Sequence, residues 1–364
     1  MSLERRAHRR ATPAARVMPA AMPRKMPWKK LAPRASVPAL GLLLAGCAGI
    51  QSAVDARGPQ AERIELLWWL FLAVSTAVFV AVTAAVFLAL FRRHRRGVAE
   101  PSPESERRKT RVVAAATGLT ILILVVFLVA SVAIGNRISR MPPTDAPALI
   151  VEIIGHQWWW EVRYVDPDPS RGFTTANELR MPVGRPVIVK ATSRDVIHSF
   201  WVPNLHGKID LIPGRINSYW LQADQPGEFR GQCAEFCGLQ HAKMAFMVVA
   251  EPPERFEAWA EAYRRPAPPP ATPELQRGEQ VFLQTQCVVC HTIRGTGAWG
   301  RAGPDLTRIG ARRTIAAGTL PNNRGNLAGW IVDPQGVKPG NFMPPTSLDA
   351  GSLQALVAYL ESLK

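Results

Sequence analysis

The stretch GQCAEFCGLQHAKM, residues 231–244, sets Cys233, Cys237, His241 and Met244 at gaps of four, four and three. Two thiols, an imidazole and a thioether this close together suit a soft metal. Zinc knuckles prefer two residues between paired cysteines, and methionine is a poor zinc ligand. Thiolate, thioether and imidazole together favour copper. A blue single-copper site uses one cysteine. Two thiolates one loop-turn apart can instead bridge a pair of metals, each copper then taking one imidazole. A Cys233–Cys237 disulfide is the competing reading outside the cytoplasm. The second imidazole must come from an earlier segment, which offers His156, His198 and His206. His198 lies in DVIHSFWVP, a β-branched and aromatic run that stops at a proline, as a ligand at a strand end would. His206 sits in a turn beside Gly207 and is expected to face solvent. His156 precedes a tryptophan cluster and is expected to make a structural hydrogen bond.

A second cluster follows in QTQCVVCHTI. Cys287, Cys290 and His291 form the pattern for covalent c-type haem attachment, with two thioethers to the haem and a proximal imidazole. After His291 the chain has no other histidine and one methionine, Met343 in NFMPP. Elimination makes Met343 the sixth ligand, and Met/His ligation raises the haem potential. A zinc site would need a second ligand pair nearby, and there is none. Helix-like runs flank the motif, PELQRGEQVFLQ before it and DAGSLQALVAYLESLK at the chain's end. Of the five cysteines, two go to copper and two to haem; the fifth is Cys47.

The elements that position these residues can be sketched from charge and hydropathy. The net charge of +16 is concentrated in residues 1–34 and 92–111. A nucleic-acid groove would spread its charge over a folded domain, so no nucleic-acid partner is expected. Two charge-free apolar runs, residues 66–91 and 112–135, each exceed the roughly 20 residues a spanning helix needs. The basic segment between them belongs in the cytoplasm by the positive-inside rule, which puts the rest of the chain outside. VPALGLLLAGC, ending at Cys47, suits an export signal. Residues 1–46 are expected to be removed, and LLAGC resembles a lipobox whose cysteine is lipidated.

Residues 141–252 show short β-rich runs, about eight strands broken by frequent turns, the pattern of a β-sandwich. Residues 253–273 read as a short helix and a stiff Pro-rich linker, PAPPPATP. A helix-rich unit then spans residues 274–364. The expected fold is therefore multidomain: a transmembrane hairpin within residues 60–140, a β-sandwich, which the resemblance that follows implies is a cupredoxin-like Greek key, and a helical unit that resembles an all-α class I cytochrome c domain.

The segments VIHSFWVPNLHGKIDLIPGR and GQCAEFCGLQHAKM closely resemble the dicopper (CuA) domain of haem–copper cytochrome c oxidase subunit II. The preceding hairpin and GHQWWWEVRY resemble it too, so the likeness covers roughly residues 60 to 260. The resemblance implies copper ligands at His198, Cys233, Cys237, His241 and Met244, with Glu235 ligating through its backbone carbonyl. It also implies a magnesium shared with the catalytic subunit at the Glu235 carboxylate, and electron entry at Trp158. GPDL resembles the cytochrome c segment whose Pro304 carbonyl orients the proximal imidazole.

The whole order resembles oxidase subunits II with a fused cytochrome c. That implies a bacterial inner-membrane protein partnered by catalytic subunit I and other oxidase subunits. Its donor would be a cytochrome c or an upstream respiratory complex. Electrons would pass through haem and copper to oxygen reduction with proton pumping, and the linker would keep the haem domain close to the copper.

One departure concerns Glu106, which lies early and among cations, so a proton-path role is not carried over. A quinol oxidase subunit would lack the metal ligands. A copper store would not need a haem domain. A nitrous oxide reductase leaves the hairpin and the fused haem unexplained.

Overall fold

The computed structural model describes residues 49–96, 102–141 and 148–364. Cys47 and the basic leader lie outside the described residues. Helices α1 (Pro59–Arg96) and α2 (Pro103–Ser139) extend past the apolar runs at both ends. The early start of α2 follows from Ser102, whose hydroxyl accepts the Ser105 amide, and from Pro103 in the first turn. Apolar side chains such as Phe79 and Leu128 are exposed, and α2 buries none of its residues. Two helices this long and apolar, facing no protein core, are suited to lipid. They touch through stacked Phe71 and Phe127, 4.2 Å between ring centres. The Trp220 indole donates to the Ile138 carbonyl (2.9 Å) and ties the end of α2 to the next domain.

That domain has ten strands: β1 (Leu149–His156), β2 (Trp159–Val165), β3 (Phe173–Ala176), β4 (Glu178–Pro182), β5 (Val187–Ser193), β6 (His198–Trp201), β7 (Ile209–Leu211), β8 (Asn217–Leu221), β9 (Gly227–Cys233) and β10 (Ala245–Glu251). They form two five-stranded sheets, ordered β3-β2-β1-β5-β8 and β4-β10-β9-β6-β7. Strand β5 shows the governing pattern, with every second residue of VIVKATS buried. Between the sheets Phe200 stacks on Phe246 (4.3 Å), and Trp160 meets Phe246 edge-on (5.2 Å). Each such aromatic contributes about 2–3 kcal/mol by leaving water, and together they make a rigid floor beneath the β9–β10 loop.

Helix α3 (Pro253–Arg264) closes the sandwich by packing Trp259 against Tyr164 and Phe173. The last unit holds α4 (Pro273–Gln284), α5 (Cys287–Cys290), α6 (Arg324–Val332), α7 (Pro334–Val337) and α8 (Ala350–Ser362). Thr272 caps α4 and Asp349 caps α8. This helical unit also carries two ladders of two residues each, pairing 292–293 with 298–299 and 314–315 with 320–321. Each closes a tight turn through left-handed residues, Gly295 in one and Ala316 to Gly318 in the other. The turns bring flanking backbone groups into pairing range, which the expectation of helices alone did not include.

The start of the Pro-rich linker packs instead of hanging free. The Ala267 amide donates to the Arg294 carbonyl (2.8 Å), and the Arg308 guanidinium donates to the Ala262 carbonyl near the end of α3 and to the Pro266 carbonyl that opens the linker.

Candidate metal centres

Strands β6 and β9 pair antiparallel with Phe200 opposite Cys233, which brings His198 beside the end of β9, where the β9–β10 loop begins. The loop is closed by the Cys233 amide donating to the Met244 carbonyl (2.9 Å). Inside it the Cys233 and Cys237 sulfurs lie 3.7 Å apart. A disulfide needs about 2.05 Å, so the two remain separate thiols. His198 Nδ1 lies 3.9 Å from the Cys233 sulfur, and the Glu235 carbonyl 3.1 Å from it. His241 Nδ1 and the Met244 sulfur lie 3.6 and 3.8 Å from the Cys237 sulfur. Cys233, Cys237, His198 and Met244 are buried.

Charge in the pocket is set locally. Its hydrogen bond to Cys237 drives the Cys233 thiol well below its ordinary value, with the His198 imidazole helping. The same pairing, with burial, pushes the Cys237 thiol up. Burial opposes charge on His198, but bonds to Asp195 and Cys233 outweigh it and raise its pKa. Asp195 accepts His198 Nε2 at 2.8 Å and the Gln157 amide at 2.7 Å. It therefore directs Nδ1 toward the sulfurs, as carboxylates behind metal-bound imidazoles do. Soft donors, most of them buried, gathered in two sets around adjacent sulfurs fit a copper pair.

Trp158 is buried, and its indole N–H donates to the Cys237 carbonyl (2.9 Å). Gly238 permits this approach: its φ is +111°, and a Cβ there would sit 3.0 Å from the Trp158 ring. His156 stacks on Trp159 (4.2 Å) and pairs with Glu161 (3.0 Å), the structural role expected of it. His206 departs from expectation. It is half-buried, edge-on to Tyr219, because its turn folds back onto β8.

In the helical unit, Cys287, Cys290, His291, Pro304 and Met343 line one cavity of about 410 Å³. His291 Nδ1 donates to the Pro304 carbonyl (2.8 Å), which leaves Nε2 for a metal. Arg312, buried on the cavity wall, has an Nε without a hydrogen-bond partner. An apolar cavity with two thiols, an imidazole and a thioether on its walls fits a covalently held haem. Trp158 and Asn177 of the sandwich also line it. Phe342, next to Met343, stacks on Trp158 with 5.9 Å between ring centres and 10° between planes. Asp195, Phe342 and Lys338, a buried lysine at this contact, are absent from the residues expected by type and spacing. The Asp-x-x-His spacing of 195 and 198 is the one signal that pointed to any of them.

The molecule is thus a membrane-anchored carrier with two adjoining metal-binding domains. Residues 167–251 match the family described as "Cytochrome C oxidase subunit II, periplasmic domain", and residues 275–364 match "Cytochrome c". Cytochrome c oxidase subunit 2 of Alkalihalophilus pseudofirmus is 36% identical over 343 residues, covering 93% of this chain and 98% of the relative. That of Bacillus sp. PS3 is 33% identical, covering 89% and 95%. The solved periplasmic domain of subunit II of the Bradyrhizobium japonicum oxidase is 34% identical, covering 34% of this chain and 97% of that one, with a TM-score of 0.31.

The chain belongs to the cytochrome c oxidase subunit 2 family. It is the electron-accepting subunit of a haem–copper oxidase, a membrane protein with an external domain that associates with other oxidase subunits. Its sandwich is the copper domain and its last domain the haem domain.

Proposed function

We propose that His198, Cys233, Cys237, His241, Met244 and the Glu235 carbonyl hold the dicopper centre. Cys287 and Cys290 would anchor haem c, with His291 and Met343 as its axial ligands. When bound, these groups supply one-electron transfer, from a donor such as a cytochrome c or an upstream respiratory complex to the catalytic subunit, where oxygen becomes water with proton pumping.

The chain's own residues make such a relay short and stiff. Asp195 fixes the His198 ring, and Pro304 fixes the His291 ring. Buried sulfurs with no open face suit electron passage better than substrate binding or copper exchange. Arg312 offers a cation to the anionic edge of the haem. The half-exposed Glu235 carboxylate, 3.5 Å from Lys208, would give one oxygen to a magnesium whose other ligands come from the partner. The basic segment 92–111 favours the cytoplasmic side of a bacterial inner membrane, with both redox domains on the opposite face.

The observation that carries this reading is the Trp158 side chain. Its N–H meets the Cys237 carbonyl while its face meets Phe342, beside Met343. Electron paramagnetic resonance of the purified chain is expected to show an unpaired electron shared between two coppers, alongside c-type haem bands. Met343→Ala is expected to lower the haem potential with copper content unchanged. The hyperfine pattern of isolated Cu(II), or an unmoved potential, would count against the assignment.

A further inference from the structure

Lys338 follows α7 on the segment that leads to Met343, and only 2% of it is exposed. Its ammonium donates to the carbonyl oxygens of Trp158 (2.9 Å), Lys243 (2.9 Å) and Ala316 (3.3 Å). An ammonium has three N–H donors, and all three are used. Among the described residues no carboxylate pairs with it. Burial, then the Lys243 cation, pushes Lys338 down to about 7. The cation is therefore costly here and depends on those oxygens.

Two of the three acceptors lie across the domain boundary. One is the backbone of the tryptophan bonded to Cys237, and the other immediately precedes Met244. The grip is reciprocated around it. Gln240 donates to the Pro339 carbonyl (2.6 Å), and the Lys243 ammonium donates to the Val337 carbonyl. The Ala245 amide donates to the Ala317 carbonyl (2.9 Å). A lysine serving only the stability of the haem domain would bond within that domain.

We infer that Lys338 is a positioning residue for haem-to-copper transfer, locking the Met343 loop onto the copper-ligand loop so that Phe342 stays on Trp158. This rests on the relay proposed above. The test uses the full chain in the assembled oxidase, with the haem reduced by a flash-activated ruthenium complex. Loss of one electron from the haem band is followed against gain of one by the copper band.

Lys338→Met is expected to slow that step about tenfold or more, since small misplacements between reacting groups are costly. Lys338→Gln, which keeps two N–H donors, should fall between Met and the natural residue, and it decides the matter if the Met variant does not assemble. Haem spectrum, copper hyperfine pattern and the rate of haem reduction by a soluble donor should stay unchanged. Amide hydrogen exchange should rise together in residues 239–243 and 337–343. Natural rates and exchange in both variants would overturn the inference. So would loss of the copper signal in both, which would make Lys338 a support of the ligand loop alone. No haem-to-copper transfer in the unaltered protein would sink the relay itself.

Discussion

His198 presents Nδ1 to the sulfurs because Asp195 occupies Nε2, so one carboxylate sets the direction of a ligand it never replaces. The same kind of local control makes His206 a handle on stability. Burial pushes His206 down to about 4, opposed only by its bond to the Gly207 carbonyl. In an unfolded chain the imidazole takes a proton near its ordinary value of 6.5. The folded state resists that proton, so its contribution is fully present above about 6.5 and is lost as the pH falls toward 4. The loss is at most about 3 kcal/mol. His206→Gln should therefore flatten the fall in melting temperature of the sandwich between pH 7 and 4, and an unchanged slope would refute it. At this scale the sequence was informative where donors share one loop: Cys233, Cys237, His241 and Met244 declare themselves by type and spacing. Lys338 did not, because a lone lysine among Pro and Gly ordinarily lies in water, and only the docked partner surface buries it.

Single elements decide whether those residues meet. The haem domain depends on α4 crossing α8 closely enough for both to wall the cavity. Gly278 makes the crossing possible: a Cβ there would sit 2.1 Å from the Ala355 carbonyl oxygen and 2.6 Å from the Tyr359 Cβ. Neither helix backbone can move without opening the cavity wall that Phe282 and Leu356 form. Gly278→Ala is expected to destabilise the haem domain by about 1–3 kcal/mol, as overpacked cores do. Denaturant unfolding followed at the haem should shift, while the copper signal should not. Both helices were visible in the sequence, α4 over PELQRGEQVFLQ and α8 over the closing run, because their apolar periodicity and caps are local. Their crossing was not, since a glycine inside a helix reads only as a weak point until its neighbour is in place. The sandwich follows the same rule. Alternating burial marks the strands, whereas the β6–β9 register that joins His198 to Cys233 is a non-local pairing.

At the scale of the whole molecule the question is what holds the two redox domains together. A stiff Pro-rich linker suggests a tether that raises local concentration, and the eight residues from Pro266 to Pro273 have that composition. The contacts point elsewhere. Arg308 and Arg294 grip the end of α3 and the start of the linker, Lys338 reaches Trp158, and the Arg313 amide donates to the Glu178 carboxylate (3.2 Å). If the tether governed transfer, lengthening it threefold with Gly/Ser residues after Pro269 should lower the docked fraction about fivefold, following the roughly −3/2 power of length. If buried contacts govern, the haem-to-copper rate should change less than about twofold, because the domain is already seated and the linker carries no load. Flash-initiated transfer in the lengthened chain separates the two outcomes. The second is expected, because two of these bonds, from Lys338 to the Trp158 carbonyl and from the Arg313 amide to the Glu178 carboxylate, join the haem domain directly to the sandwich without involving the linker.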